Sequence, residues 1–147
     1  SGPEIAAKEA DSIARQREDL ITQAKAKAAG LIAAHFTYEI PESGDPHAYQ
    51  IDDKAHLNMT AVGAKFGLGD TDAHNGFWRD ADNIKVTMTD VQVKALFLAA
   101  GDYKQAIITN MWALLDDIAD ADTQVKIDAI NIAAGTGPTA TGWPSVS

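Results

Sequence analysis

Cysteine is absent from the 147 residues, which excludes disulfides, thiolate metal sites and a cysteine nucleophile together. No run approaches the roughly 20 consecutive apolar residues that a membrane-spanning helix needs. The N-terminus also lacks a charged start followed by an apolar signal core. Positive charge is scarce: 21 acidic against 12 basic side chains leave a formal net charge of -9, and a surface of that sign repels nucleic-acid phosphate and anionic lipid alike. Neither nucleic acid nor membrane insertion is expected. The excess lies in residues 35–147, because residues 1–34 hold five basic and five acidic side chains. Its plain consequence is a solvated acidic surface.

Motifs for chemistry are missing too. The four histidines, His35, His47, His56 and His74, have no i,i+4 pairing, so nothing local presents two imidazoles to a metal. Asp70, Asp72 and His74 before Asn75-Gly76 alternate like the start of a calcium loop, but Asp82 stands where the bidentate glutamate is needed. The stretch reads as a solvated turn. Gly67-Leu68-Gly69 is followed by no Gly-Lys-Ser/Thr, and no G-x-S-x-G occurs. Glu39, Glu42 and Asp45 fall on a loop with nothing to desolvate them, and Asp116-Asp117 read as an exposed helix end. No catalytic, cofactor-binding or metal-binding residue is assigned, no cofactor is expected, and the chain reads as a binding protein, not an enzyme.

What remains suits one folded domain, with 46% hydrophobic and 22% charged residues. Ser1-Gly2-Pro3 reads as the remainder of a cleaved tag, which would make the chain the C-terminal part of something longer. From Glu4 to Ala34 the composition is that of a long helix. Ala6, Ala10, Ile13, Arg17, Leu20, Ala24, Lys27 and Leu31 fall at alternating steps of four and three, a heptad seam interrupted by Arg17 and Lys27. Two readings follow. Either Ile13, Leu20, Ala24 and Leu31 form a coiled-coil stalk that self-associates, or the stripe packs on its own domain. The expected division is therefore an N-terminal helix over 1–34, as stalk or linker, and a compact domain over 35–147.

In the second part Phe36, Tyr38 and Ile40 alternate onto one face, a Pro/Gly loop follows, and Ala48 to Ile51 resumes an extended run: a hairpin. Asp52 or Asp53 caps a short helix with apolar positions Leu57, Ala61 or Val62, and Phe66. Phe77 to Asp80 and Ile84 to Met88 flank the turn-forming Ala81-Asp82-Asn83, a second hairpin expected to share a sheet with the first. Thr89-Asp90-Val91-Gln92 has the form of a capping box. It opens a helix of about seven turns, with Phe97 and Trp112 expected inward. Asp122 or Thr123 caps a last short helix, and the tail to Ser147 reads as irregular with Trp143-Pro144 its anchor. The fold class is α+β: a small antiparallel sheet of two hairpins packed by a long C-terminal helix, with a long N-terminal helix.

Trp78, Ala81, Asp82 and Asn83, then Met88, Thr89 and Gln92, resemble the W-x-x-A-D-N turn and M-T-x-x-Q helix start of a small domain family in tailed phages and prophages, over about residues 20–120. Phe36 and Tyr49 match its hairpin aromatics, and Gly142-Trp143-Pro144 is similar to the close of many tail-fibre assembly proteins. The resemblance implies a virion setting, or host cytoplasm during assembly. It implies other phage tail proteins as partners and, for the homo-oligomer that the seam of the N-terminal helix suggests, a trimer by analogy with fibres. The expected function is a protein-binding tail component or tail-fibre assembly factor. The alternative is a receptor-binding tip stacking host glycan on Tyr49 or Trp143. Trp78, Asp82, Asn83, Thr89 and Gln92 are expected to determine the fold.

Overall fold

Pro3, harmless in a first helical turn where its missing N–H needs no partner, precedes a long run of strong helix formers. The computed structural model accordingly opens with α1, Gly2–Ala33. It describes residues 2–42 and 44–145, so Ser1, Ser43 of the first loop and the last two residues of the tail lie outside the described residues. The remaining elements are β1 (Phe36–Glu39), β2 (Pro46–Tyr49), α2 (Asp53–Gly67), β3 (Phe77–Arg79), β4 (Lys85–Thr87), α3 (Asp90–Ala119) and α4 (Gln124–Asp128). The class is α+β. The chain forms two compact units, Ser1–Gly30 with Ala106–Pro144, and a second centred on Leu31–Gln105. This differs from a break at residue 34, because α1 shares a core with the C-terminal third of the chain.

In the first unit Ala24 is fully buried in a cluster with Leu114, Ile118, Ala121, Ile127 and Ala140, while Ile13, Leu20 and Ile21 pack against it half-buried. The heptad seam is thus used within the unit from Ile13 to Ala24, Ala6 and Ala10 are exposed, and Leu31 falls in the second unit, half-buried. Full burial of a large aliphatic side chain, as at Leu114 and Ile118, contributes about 1.5–3 kcal/mol, and the half-buried ones contribute less. Arg17, which interrupts the seam in sequence, donates to the carbonyls of Ile118 at 3.1 Å and Ala119 at 2.6 Å. A cation there answers the orphan carbonyls and negative dipole end of α3. Thr123 then caps α4 by accepting from the Lys126 N–H.

The tail is more ordered than its sequence indicates. Asn110 and Asp117, two turns apart on α3 and both buried, face it. Asn110 donates to the Gly135 carbonyl at 2.9 Å and accepts from the Thr141 and Gly142 N–H groups. Asp117, expected to be exposed, accepts from the Thr139 N–H and hydroxyl and from the Ala140 N–H. Trp143 Nε1 donates to the Ile132 carbonyl at 2.8 Å. Gly135, at φ 74°, and Gly137 lie where a Cβ would come within 2.7 Å of Asn110 Nδ2 and 2.5 Å of Asp117 Oδ2.

In the second unit the expected hairpins form, but as two separate two-stranded antiparallel sheets rather than one. β1 pairs with β2 from Phe36↔Tyr49 to Glu39↔Pro46, and β3 with β4 from Phe77↔Thr87 to Arg79↔Lys85. The Ala81 N–H, donating to the Ala48 carbonyl at 2.7 Å, links the turn of the second hairpin to β2. Asn83 takes φ 64°, the left-handed conformation that asparagine tolerates. Ile84 is 55% exposed beside that turn, and burial begins with Val86 and Met88.

Asp52 caps α2 by accepting from the Ala55 N–H. Its inward residues are Met59, Val62 and Phe66, at steps of three and four, while Leu57 is 68% exposed. The capping box of α3 is complete: Thr89 N–H donates to Gln92 Oε1 at 2.9 Å, and Gln92 N–H to Thr89 Oγ1 at 3.2 Å. Phe97 meets the Trp78 ring edge-on at 4.8 Å between centroids, and Tyr103 stacks on Phe36 at 5.1 Å. Trp112, expected inward, is 55% exposed. Fifteen residues from Phe97, it is turned by about 60° around the helix.

Candidate functional site

Lys54, Asn58 and Val62 recur at four-residue steps along one stripe of α2. With the segment Ala73–Asn75 and the second hairpin from Phe77 to Asn83, they line an open cleft of about 570 Å³ within the second unit. That volume lies in the usual range for small-ligand sites. Trp78 supplies aromatic surface, and Gln50, Asn58, Asn75 and Asn83 supply amides.

Asp80 organises the turn on the wall of the cleft. Its Oδ1 accepts from the Asp82 and Ile84 N–H groups, each at 2.9 Å, and its Oδ2 accepts from His47 Nδ1 at 2.9 Å. The Asp80 side chain is only 5% exposed although it lies near the surface. The His47 hydrogen bond first, and then the two backbone donors, hold its pKa below the usual carboxylate range against the opposing effect of desolvation. With three donors already on it, this carboxylate is poorly placed for general acid or base chemistry.

His47, and His74 of the expected solvated turn, are both structural. His47 carries the Asp80 bond. His74, only 6% exposed, bonds the Met88 carbonyl through Nε2 at 2.8 Å and has Phe66 against its ring, while its Nδ1 has no hydrogen-bond partner in the protein. Asp70 Oδ1 accepts from the Asp72 N–H, an Asx turn. Tyr49 is fully buried with an unpartnered hydroxyl, and burial, reinforced by the Asp80 charge, pushes its pKa up to about 12. It offers no exposed ring for stacking. Trp143 is half-buried, with its indole N–H already bonded.

Of the residues singled out in the sequence, Trp78 and Asn83 line the cleft. Asp82 is exposed and takes part through its backbone N–H. Thr89 and Gln92 form the capping box, from which the Gln92 amide also reaches the Pro41 carbonyl at 2.7 Å. Ile13, Leu20 and Ala24 belong to the other unit. Sequence reasoning missed Asp80, His47 and His74. Asp80 had a readable signal: an aspartate opening a D-x-D-N turn can accept from the N–H groups two and four residues on. His47 and His74 had none, since their partners lie 33 and 14 residues away.

Residues 15–134 match the family described as "Domain of unknown function (DUF4376)", and the chain belongs to it. No curated protein and no solved structure matches the chain. No helix among the described residues is long and apolar enough to cross a membrane.

Proposed function

We propose that the chain is a non-enzymatic protein-binding module of a bacteriophage tail, acting as a fibre or baseplate component or as a fibre assembly factor. The setting rests on the resemblance of the Trp78 to Asn83 turn and the Met88 to Gln92 helix start. The observation that carries the binding role is on the surface of the second unit. Val91 and Leu98, two turns apart on one face of α3, are 68% and 70% exposed, and Leu57 and Leu68 are 68% and 89% exposed. Large aliphatic side chains held in water by a well-capped helix suit coverage by another protein. The site of action is the virion tail, or the host cytoplasm during assembly, and the partners are other tail proteins. A homo-oligomer would use surfaces other than the α1 seam, since Ala24 and its neighbours pack within their own unit. The test is co-expression with the other tail proteins of the same phage, with purified virions probed by antibody. Co-purification that Val91→Glu with Leu98→Glu abolishes is the expected result. Absence from virions together with failure to co-purify with any tail protein would overturn the proposal.

A further inference from the structure

The second hairpin sets two cations side by side. Arg79 and Lys85 stand directly opposite each other in the β3–β4 register, and both are exposed. Like charges so placed destabilise a strand pair. Both are held against one aromatic side chain, with the Arg79 guanidinium carbon 5.6 Å and Lys85 Nζ 4.6 Å from the centre of the Phe77 ring. Arg79 Nη1 also donates to the Asn83 carbonyl at 2.8 Å. These contacts position the cations without neutralising them. Among the described residues the ion pairs are His47–Asp80, Lys94–Asp90, Lys104–Asp53 and Lys126–Asp122, so neither Arg79 nor Lys85 is met by a carboxylate, the exposed Asp82 of the same turn included. Phe77 and Arg79 line the cleft, and a third cation, Lys54, lines it from α2. The Asp80 carboxylate in that lining is 5% exposed and already holds three donors. The accessible charge of the cleft is therefore positive, on a chain whose net charge is -9.

We infer that the cleft and its cation pair receive an acidic segment of a partner protein, whose carboxylate is taken by Arg79 and Lys85 while its backbone runs past the amides of Gln50, Asn58 and Asn83. An anion supplied from outside removes the repulsion between the two cations, and the Arg79 fork, already oriented by Asn83, suits a carboxylate. An exposed ion pair alone gives little affinity, so the remainder must come from the cleft. Side-chain amides both donate and accept, as the alternating N–H and C=O groups of a peptide require, and Val62 and Trp78 give an apolar side chain of the segment a surface to rest on. A neutral sugar would leave the cations unanswered. A nucleic acid would be repelled by the acidic remainder of the surface. The inference rests on the reading of the chain as a protein-binding module and adds a contact separate from Val91 and Leu98, which do not line the cleft.

The test screens the full chain against a displayed library of random octapeptides, then titrates the enriched peptides, synthesised with a fluorescent label, by anisotropy. Enrichment of Asp or Glu beside an aromatic or aliphatic residue is expected, with binding that weakens as salt rises. Arg79→Gln with Lys85→Gln, both at exposed positions, should weaken the binding about tenfold and leave the circular dichroism spectrum unchanged. Arg79→Glu with Lys85→Glu should reverse the preference, so that the same peptide with Lys in place of its acidic residue binds better than the original. Three outcomes would overturn the inference: enriched peptides without an acidic residue, acidic peptides that bind the Arg79→Gln, Lys85→Gln variant as tightly as wild type, or full displacement of the peptide by equimolar inorganic phosphate or sialylated oligosaccharide. Tail-protein co-purification that still depends on Val91 and Leu98 would, in any of these cases, leave the protein-binding reading standing, so the two fail separately.

Discussion

The Asp80 carboxylate accepts from His47 Nδ1 at 2.9 Å and so ties the turn of the second hairpin to the return strand of the first. Two sheets that share no ladder are joined there by a charge-assisted bond and by the Ala81 to Ala48 backbone bond.

Removing that carboxylate should therefore loosen both hairpins. Asp80→Ala leaves the Asp82 and Ile84 N–H groups and the His47 ring without their acceptor, and we expect a loss on the order of 2 kcal/mol in urea unfolding. Because the folded pKa is depressed, the stabilisation is fully present above the ordinary value of 3.8 and is lost as pH falls through the lower folded value. The stability difference between wild type and Asp80→Asn should accordingly be flat above that range and shrink in acid. A difference that persists unchanged in acid would contradict the assignment.

Tyr49 gives the opposite sign at alkaline pH. Its pKa is raised from 10.0 to about 12, so the unfolded chain releases the proton first and stability declines as pH rises between those values. Tyr49→Phe should flatten part of the decline, the remainder coming from Tyr103, which burial also raises. At neutral pH the substitution removes a buried hydroxyl without a partner and should stabilise the fold by about 1 kcal/mol. Thermal unfolding across this range reads both effects.

Asn110→Ala should release the tail, since one amide serves the Gly135 carbonyl and the Thr141 and Gly142 N–H groups. A cost of about 2–3 kcal/mol is expected, with faster hydrogen exchange concentrated in residues 131–143. Gly135→Ala should be at least as damaging, because it combines a φ of 74° with a Cβ placed 2.8 Å from the Trp143 backbone nitrogen. Uniform exchange in either variant would show that the tail is held by something else.

Trp78→Ala tests the fold role expected from the sequence. A fully buried tryptophan would cost about 3–5 kcal/mol. Trp78 is half-buried, so we expect about 2–3 kcal/mol, including the edge-on contact with Phe97. Measured stability near that of wild type would remove Trp78 from the fold determinants.

A chain beginning near His35 tests whether α1 is a stalk or part of a core. The packing of Ile13, Leu20, Ile21 and Ala24 against Leu114 and Ile118 changes the expectation. Truncation should strip the core of the first unit and the Arg17 cap from α3, so residues 106–144 should lose exchange protection and helicity. Full protection there, with only a change in sedimentation, would restore the stalk.

The sequence by itself determined the elements whose signals are local. The Thr89/Gln92 box, the Asn83 turn, the two hairpins and the α+β class depend on residues a few positions apart, where hydrogen bonding and backbone sterics act without knowledge of the rest of the chain. Tertiary structure alone decided what each face met. The heptad spacing of α1 is equally consistent with a second copy and with α3, and only the location of Ala24 beside Leu114 separates them. The roles of Arg17, Asn110 and Asp117 were hidden for the same reason, since a polar side chain in a helix reads as solvated until its distant backbone partners are placed beside it. The cleft belongs to this second class: Asn58, His74 and Trp78 are 16 and 4 residues apart in sequence, and no periodic pattern relates a helix stripe to a loop histidine and a strand tryptophan.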